Sequence, residues 1–141
     1  MMMLGKLGIA ARRPVVLTMV LAAAFVGGCG GGEPSGPVLA GGREVKSWIK
    51  DLHDPNPRVR RQAVLKLGNV GDADPSVAEG LLGALDDPDV LVRRDAILAA
   101  ARLKTPTPAI REKLESMSRA DRDPRARELA GKAVVRLGGG G

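Results

Sequence analysis

A short phrase returns three times along this chain at an almost fixed interval, and it constrains the fold more than any other feature. Asp54-Pro55-Asn56-Pro57-Arg58-Val59-Arg60 is echoed by Asp87-Pro88-Asp89-Val90-Leu91-Val92-Arg93 and again by Asp121-Arg122-Asp123-Pro124-Arg125-Ala126-Arg127. The leading aspartates stand 33 and 34 residues apart, and each precedes its arginine by six positions. A period of this size marks a stacked array in which each unit buries its apolar face only against its neighbours. Such arrays mostly present surface to partners.

Each period divides into two amphipathic stretches around the Asp phrase. The first helices are expected at 44–52, 77–85 and 110–118, and the second at about 59–70, 92–103 and 126–137. In the second stretch of the first period, Val59, Ala63, Val64, Leu67 and Val70 are apolar, and Val92, Ala96, Ile97, Ala100 and Leu103 match them one period later. Offsets of four, five, eight and eleven trace one side of a helix rather than a strand. The Asp before Pro is expected to cap the helix that follows. Gly68, Gly71 and Gly138 fall where left-handed helix ends are expected, and Thr105-Pro106-Thr107-Pro108 links the second period to the third. The chain has one Trp, one Phe and no Tyr, so the core must be built from Leu, Val, Ile and Ala. That suits close-packed helices better than a sheet.

The interval equals that of tetratricopeptide and ankyrin units, but the residue signatures of both are missing. Asp, five residues, Arg, and Ala three positions later, with Val or Ala before the Arg, resembles instead the short bacterial form of the HEAT repeat. Asp54, Val59, Arg60 and Ala63, then Asp87, Val92, Arg93 and Ala96, then Asp121, Ala126, Arg127 and Ala130 carry the resemblance, over residues 43–138. It implies an all-α fold, a short α-solenoid of about three two-helix repeats. It also implies a ladder in which Arg60, Arg93 and Arg127 each reach the Asp of their own or a neighbouring repeat, Asp54, Asp87 or Asp121. Three arginines stacked on one line would repel without interleaved carboxylates. The third copy is the weakest, with Arg122 in place of the early Pro and Gly131 within its second helix.

Ahead of the repeats stands a different kind of sequence. Residues 1–13 carry Lys6, Arg12 and Arg13 and no acid, and Val15 to Val26 reads VVLTMVLAAAFV. A basic start, an apolar run of this length and small residues after it describe a secretory signal peptide over 1–28. A membrane-spanning helix needs about 20 apolar residues. Val26-Gly27-Gly28-Cys29 resembles the lipobox of bacterial lipoproteins, which implies lipid attachment at Cys29 and a cell-envelope location with the repeats outside the cytoplasm. An ordinary signal peptide or short anchor with an incidental Cys is the alternative. Gly30 lacks the Asp-type signal for inner-membrane retention, which leans toward the outer membrane. Residues 29–42, GGGEPSGPVLAGG after the Cys, read as a Gly/Pro-rich tether with a reach of roughly 20 Å, and residues 139–141 as a Gly tail.

The net charge of +6 is partly an effect of this leader: of 22 basic residues 19 remain after it, against 16 acidic. Acids and bases are mixed along the repeats, without the segregated basic stripe and stacking aromatics of a nucleic-acid binder. One Cys excludes an internal disulfide and a paired-cysteine zinc site. His53, the only histidine, has no nucleophile or second ligand beside it, and Asp86, Asp87 and Asp89 lack the Gly and distal Glu of a calcium loop. No enzyme, cofactor or metal is expected.

Repeat register places Arg61, Arg94 and Glu128 at one level of the second helices and Asn69, Arg102 and Arg136 at another, with Lys66 and Lys132 on neighbouring rows. This mildly basic face suggests an acidic protein segment or an anionic envelope surface as partner; a merely solvated face is the alternative. The array sits at the minimum of about three repeats and ends in Ala133-Val134-Val135-Arg136-Leu137 without a polar cap, which suggests self-association through the terminal repeat. The function read from these features is a membrane-anchored scaffold or adaptor. The alternative is an accessory subunit of an enzyme without catalytic residues of its own, since some relatives of these short repeats take part in attaching chromophores to proteins.

Overall fold

A computed structural model describes residues 38–139. The leader over 1–28, Cys29 and the first part of the tether lie outside the described residues. Six α-helices follow a two-stranded hairpin: β1 (Leu39–Ala40), β2 (Arg43–Glu44), α1 (Val45–Asp51), α2 (Pro57–Val70), α3 (Ser76–Ala84), α4 (Val90–Ala100), α5 (Pro108–Ala120) and α6 (Pro124–Gly138). Each helix pairs with the next, α1 with α2, α3 with α4 and α5 with α6, while α2, α4 and α6 pack side by side as a continuous inner layer. This is a short α-solenoid of three helix pairs. No helix among the described residues is long and apolar enough to cross a membrane.

The inner layer is close-packed because one position in every second helix is alanine. Ala63, Ala96 and Ala130 are fully buried, and Val92 and Ala126 beside them are equally dry. Gly68, expected at a helix end, lies inside α2, where a Cβ would stand 2.8 Å from the Ala99 Cβ. It lets α2 and α4 approach. Of the three glycines expected as left-handed ends, only Gly71 has positive φ, 57°, where it stops α2. Gly138 is the last residue of α6.

The second helices begin two residues earlier than expected, each directly after a cap that is the third residue of its phrase. In the third copy that cap, Asp123, is the Asp before Pro that was expected, whereas in the first two it replaces the leading Asp. The Asn56 side chain accepts from Arg58 N at 3.0 Å, Asp89 from Leu91 N at 2.8 Å, and Asp123 from Ala126 N at 2.7 Å. Pro57 and Pro124 then occupy the first turn, where a missing N–H has no partner to lose. Thr107 caps α5 in the same way, accepting from Ile110 N, so Pro108 opens that helix.

Residues 38–42, expected as part of the tether, are folded onto the first repeat. Gly41 and Gly42 have φ of 57° and 79°, the two positive values that a tight two-residue hairpin loop demands and that glycine adopts without strain. The hairpin pairs Leu39 with Glu44 and Ala40 with Arg43. The Trp48 indole Nε1 donates to the Ala40 carbonyl at 2.7 Å, and the Arg43 guanidinium lies 4.1 Å from the centre of the Trp48 ring. The single aromatic of the repeats thus fastens the hairpin as a cover on α1 and α2.

Two glycine substitutions should move stability in opposite directions. Gly68→Ala should lower the unfolding free energy by about 1–3 kcal/mol, because the added methyl meets another helix. Gly83→Ala, in an exposed part of α3 with nothing within 4 Å, should raise it by about 0.5–1 kcal/mol. Urea unfolding followed by circular dichroism measures both.

Candidate functional site

Successive repeats are joined by the arginine of one and the leading aspartate of the next. Arg60 donates from Nε to Asp87 Oδ2 at 2.7 Å and from Nη2 to Oδ1 at 2.9 Å. Arg93 repeats this with Asp121, both bonds at 3.0 Å. The remaining nitrogen of each guanidinium, Nη1, turns back to its own repeat: Arg60 to the Asp54 carbonyl at 2.9 Å and Arg93 to the Asp87 carbonyl at 2.9 Å. Arg127 makes the same backward bond to the Asp121 carbonyl at 2.7 Å. The ladder therefore runs in one direction, with the carbonyl of its own turn orienting each fork and the next carboxylate filling it.

Each leading aspartate also accepts the backbone N–H two residues on, at 2.8 Å for Asp54, Asp87 and Asp121 alike. Burial acts to raise the pKa of the Asp87 carboxyl, but the hydrogen bond from Arg60 and the Asp89 N–H outweigh it and the net shift is downward. Asp121 is held below its ordinary range in the same way by Arg93 and the Asp123 N–H. Arg93 and Asp87 are 5% and 8% exposed. Each has its own ion-pair partner, Asp121 for Arg93 and Arg60 for Asp87, which is what makes a buried charge tolerable.

The joints take up two of the six charges that sequence register had assigned to an open basic face. Arg61 is paired with Asp95 of the next repeat, and Arg94 grips Asp123 with bonds of 2.9 and 2.8 Å. Asp123 thus caps α6 and holds Arg94 at once; that arginine first, then the Ala126 N–H, lowers its pKa to about 2. Lys132 is paired with Glu128 on its own helix, and Lys66 is half-buried beside Gly41 of the hairpin. Arg102, which makes only a long bond of 3.4 Å to Asn69, and exposed Arg136 remain available.

Other joint contacts were not visible in the sequence. Asp72, just after α2, accepts from Lys104 N, Thr105 N and the Thr105 hydroxyl at 2.8, 2.9 and 2.6 Å, which fastens the loop before α5 to the turn after α2. Arg122, the departure from the phrase in the third copy, donates to the Pro88 carbonyl at 2.7 Å and adds a further link. Sequence reasoning also passed over Leu65 and Leu98, which occupy equivalent positions of α2 and α4 and are 49% and 50% exposed. The available signal was that these leucines lie off the buried side in both copies. Leu91, 42% exposed, precedes Arg94 and Leu98 on the same stripe of α4.

The three neighbouring aspartates of the second phrase serve separate structural tasks. Asp86 is paired with Lys113, Asp87 with Arg60, and Asp89 caps α4. Among the described residues no group of three or more His, Cys, Asp or Glu is placed to hold a metal ion. His53 is exposed at the end of α1.

Two joints of one construction between three helix pairs define an α-solenoid of the two-helix repeat class. The chain matches the HEAT repeats family over residues 45–134 and belongs to it. HEAT repeats are generally protein-interaction scaffolds, typically without catalysis of their own. No match was found among curated proteins.

Removing one partner of the inner joint should be severe. Arg93→Met should destabilise the fold by about 3–5 kcal/mol, since it leaves Asp121 buried without its cation. The joints also set a pH dependence. Carboxylates whose folded pKa is depressed contribute stability that is full above their unfolded value, near 3.8, and is lost as pH falls through the folded value, about 2 for Asp123. Urea midpoints should therefore be flat above pH 5 and fall steadily toward pH 2. Asp123→Asn should shallow that fall while lowering stability at neutral pH.

Proposed function

We propose that the chain is a membrane-anchored, non-catalytic interaction scaffold at the cell envelope, with Cys29 as its lipid attachment point. The observation that carries the scaffold reading is the inner helical face once the joints have taken their charges. Leu65, Leu91 and Leu98 remain in solvent there, with Arg102 and Arg136 as exposed cations near the far ends of their helices. An apolar centre rimmed by cations is the kind of surface that takes a protein segment with apolar anchors and an acidic border. Of the six basic residues that register places on this face, Arg61, Arg94 and Lys132 are ion-paired, and leucine supplies much of the contact area. The lipobox-like sequence and its leader support the anchor.

The anchor is checked by the intact mass of the N-terminal peptide from the membrane fraction of native cells. A peptide beginning at Cys29 with added acyl mass is expected; one beginning at an unmodified Met would sink the lipoprotein reading. The scaffold reading is checked in the same cells with a photo-crosslinking residue at position 98 and another at position 112 on α5. A discrete protein adduct is expected at 98 and not at 112, and Arg102→Glu should reduce it several-fold. Equal labelling at both positions would show that the inner face has no privileged partner.

A further inference from the structure

Every internal joint takes one arginine from the repeat before it and one aspartate from the repeat after it, so an array of three uses two of each. One of each is left, at opposite ends. Arg127 is already oriented by its bond to the Asp121 carbonyl, as Arg60 and Arg93 are by theirs. Among the described residues its Nε and Nη2 have no carboxylate. At the other end the Asp54 carboxylate accepts from the Asn56 N–H and, among the described residues, meets no arginine fork.

We propose that these ends join: the α5–α6 end of one copy receives the α1–α2 end of a second copy, head to tail, with Arg127 gripping Asp54 as Arg93 grips Asp121. The apolar surface fits the same joint. Val135 stands where Gly68 and Ala101 stand in the earlier repeats; those two are buried, whereas Val135 is 76% exposed. At the receiving end Val59 is only half-buried, although its counterparts Val92 and Ala126 are fully buried beneath a preceding repeat. The hairpin does not occupy this place: β1 lies against Lys66, Asn69 and Val70, at the opposite end of α2 from Asp54 and Val59.

The second rung of the ladder changes at the two ends in a matched way. Inside the array Arg61 pairs with Asp95, and Arg94 with Asp123. At the tail the arginine is replaced by Glu128, and at the head the two aspartates are replaced by Gln62 and Asn56. A carboxylate facing two amides can accept hydrogen bonds, where a carboxylate facing two aspartates would repel. Because the two surfaces differ, the contact is heterologous and does not close at two copies. It uses a different surface from the inner face proposed for partner binding and stands or falls independently of it.

Sedimentation velocity of the full chain in density-matched detergent, over a hundredfold range of concentration, tests the proposal. The wild-type chain should grow past the dimer as concentration rises. Arg127→Asp alone and Asp54→Arg alone should each weaken association roughly tenfold or more, since like charges then face each other at the joint. Mixing these two variants should restore growth, because every contact in the alternating series again pairs opposite charges. Circular dichroism follows the fold of each variant. Should either be unfolded, Val135→Asp, at a side chain already in solvent, carries the decision and should block growth. A wild-type chain that stays monomeric, one that stops at a dimer, or growth indifferent to these substitutions would overturn the proposal.

Discussion

The structure depends on the grip of an arginine fork on an aspartate that belongs to the next repeat. Helix pairs of this size have too little apolar surface to stand alone, so each must be oriented against its neighbour as well as covered by it. A bidentate guanidinium–carboxylate contact fixes both distance and angle, which a lysine, as a point charge, does not. Here the orientation is set before the joint closes. The third nitrogen of Arg60 and of Arg93 is bound to a carbonyl of its own turn, and the receiving carboxylate is held by a backbone N–H of its own turn. One side of the joint is the first part of a helix and the other is the tight turn that leads into the next. The ion pair therefore joins two preformed pieces and loses little side-chain freedom in doing so.

Around that grip the remaining contacts become intelligible as additions to the same joints. Arg94 with Asp123, Arg61 with Asp95, Arg122 with the Pro88 carbonyl and Asp72 with Lys104 and Thr105 all cross from one repeat to another. Glycine and alanine let α2 and α4 come close enough for these reaches to be made. The two ends of the array are then unlike. One carries a hairpin held by Trp48; the other ends in α6 with Val135 in solvent. A face that is finished in the middle of the array is left unfinished at its tail.

Much of this was legible because repetition multiplies weak signals. A single Asp–Arg spacing means little, but three in register announced the period, the helix pairs and the alanine positions. The places where expectation failed are local. In the first two copies the leading aspartate looked like the cap because Asp before Pro suits that role, yet the residue two later caps, and the leading carboxylate instead accepts the N–H of that capping residue. Gly41-Gly42 read as linker because the flanking strands are only two residues long; the hairpin exists through Trp48, whose contact is not local. The basic face was overcounted because register alone places Arg61 and Arg94 on a surface without showing that Asp95 and Asp123 reach them.

The sequence by itself determined the period and the helix-pair class, because each follows from spacing and side-chain type within one repeat. The ladder was implied by the family resemblance, and of its six residues Arg60 with Asp87 and Arg93 with Asp121 form the rungs. Only the tertiary structure decided which repeat each charge serves, which glycine is a turn and which a point of helix contact, and which side chains remain open at the end of the array. Those depend on the distance between residues some thirty positions apart, such as Arg60 and Asp87. That distance is fixed by how the helix pairs pack together and not by anything within a single copy of the phrase.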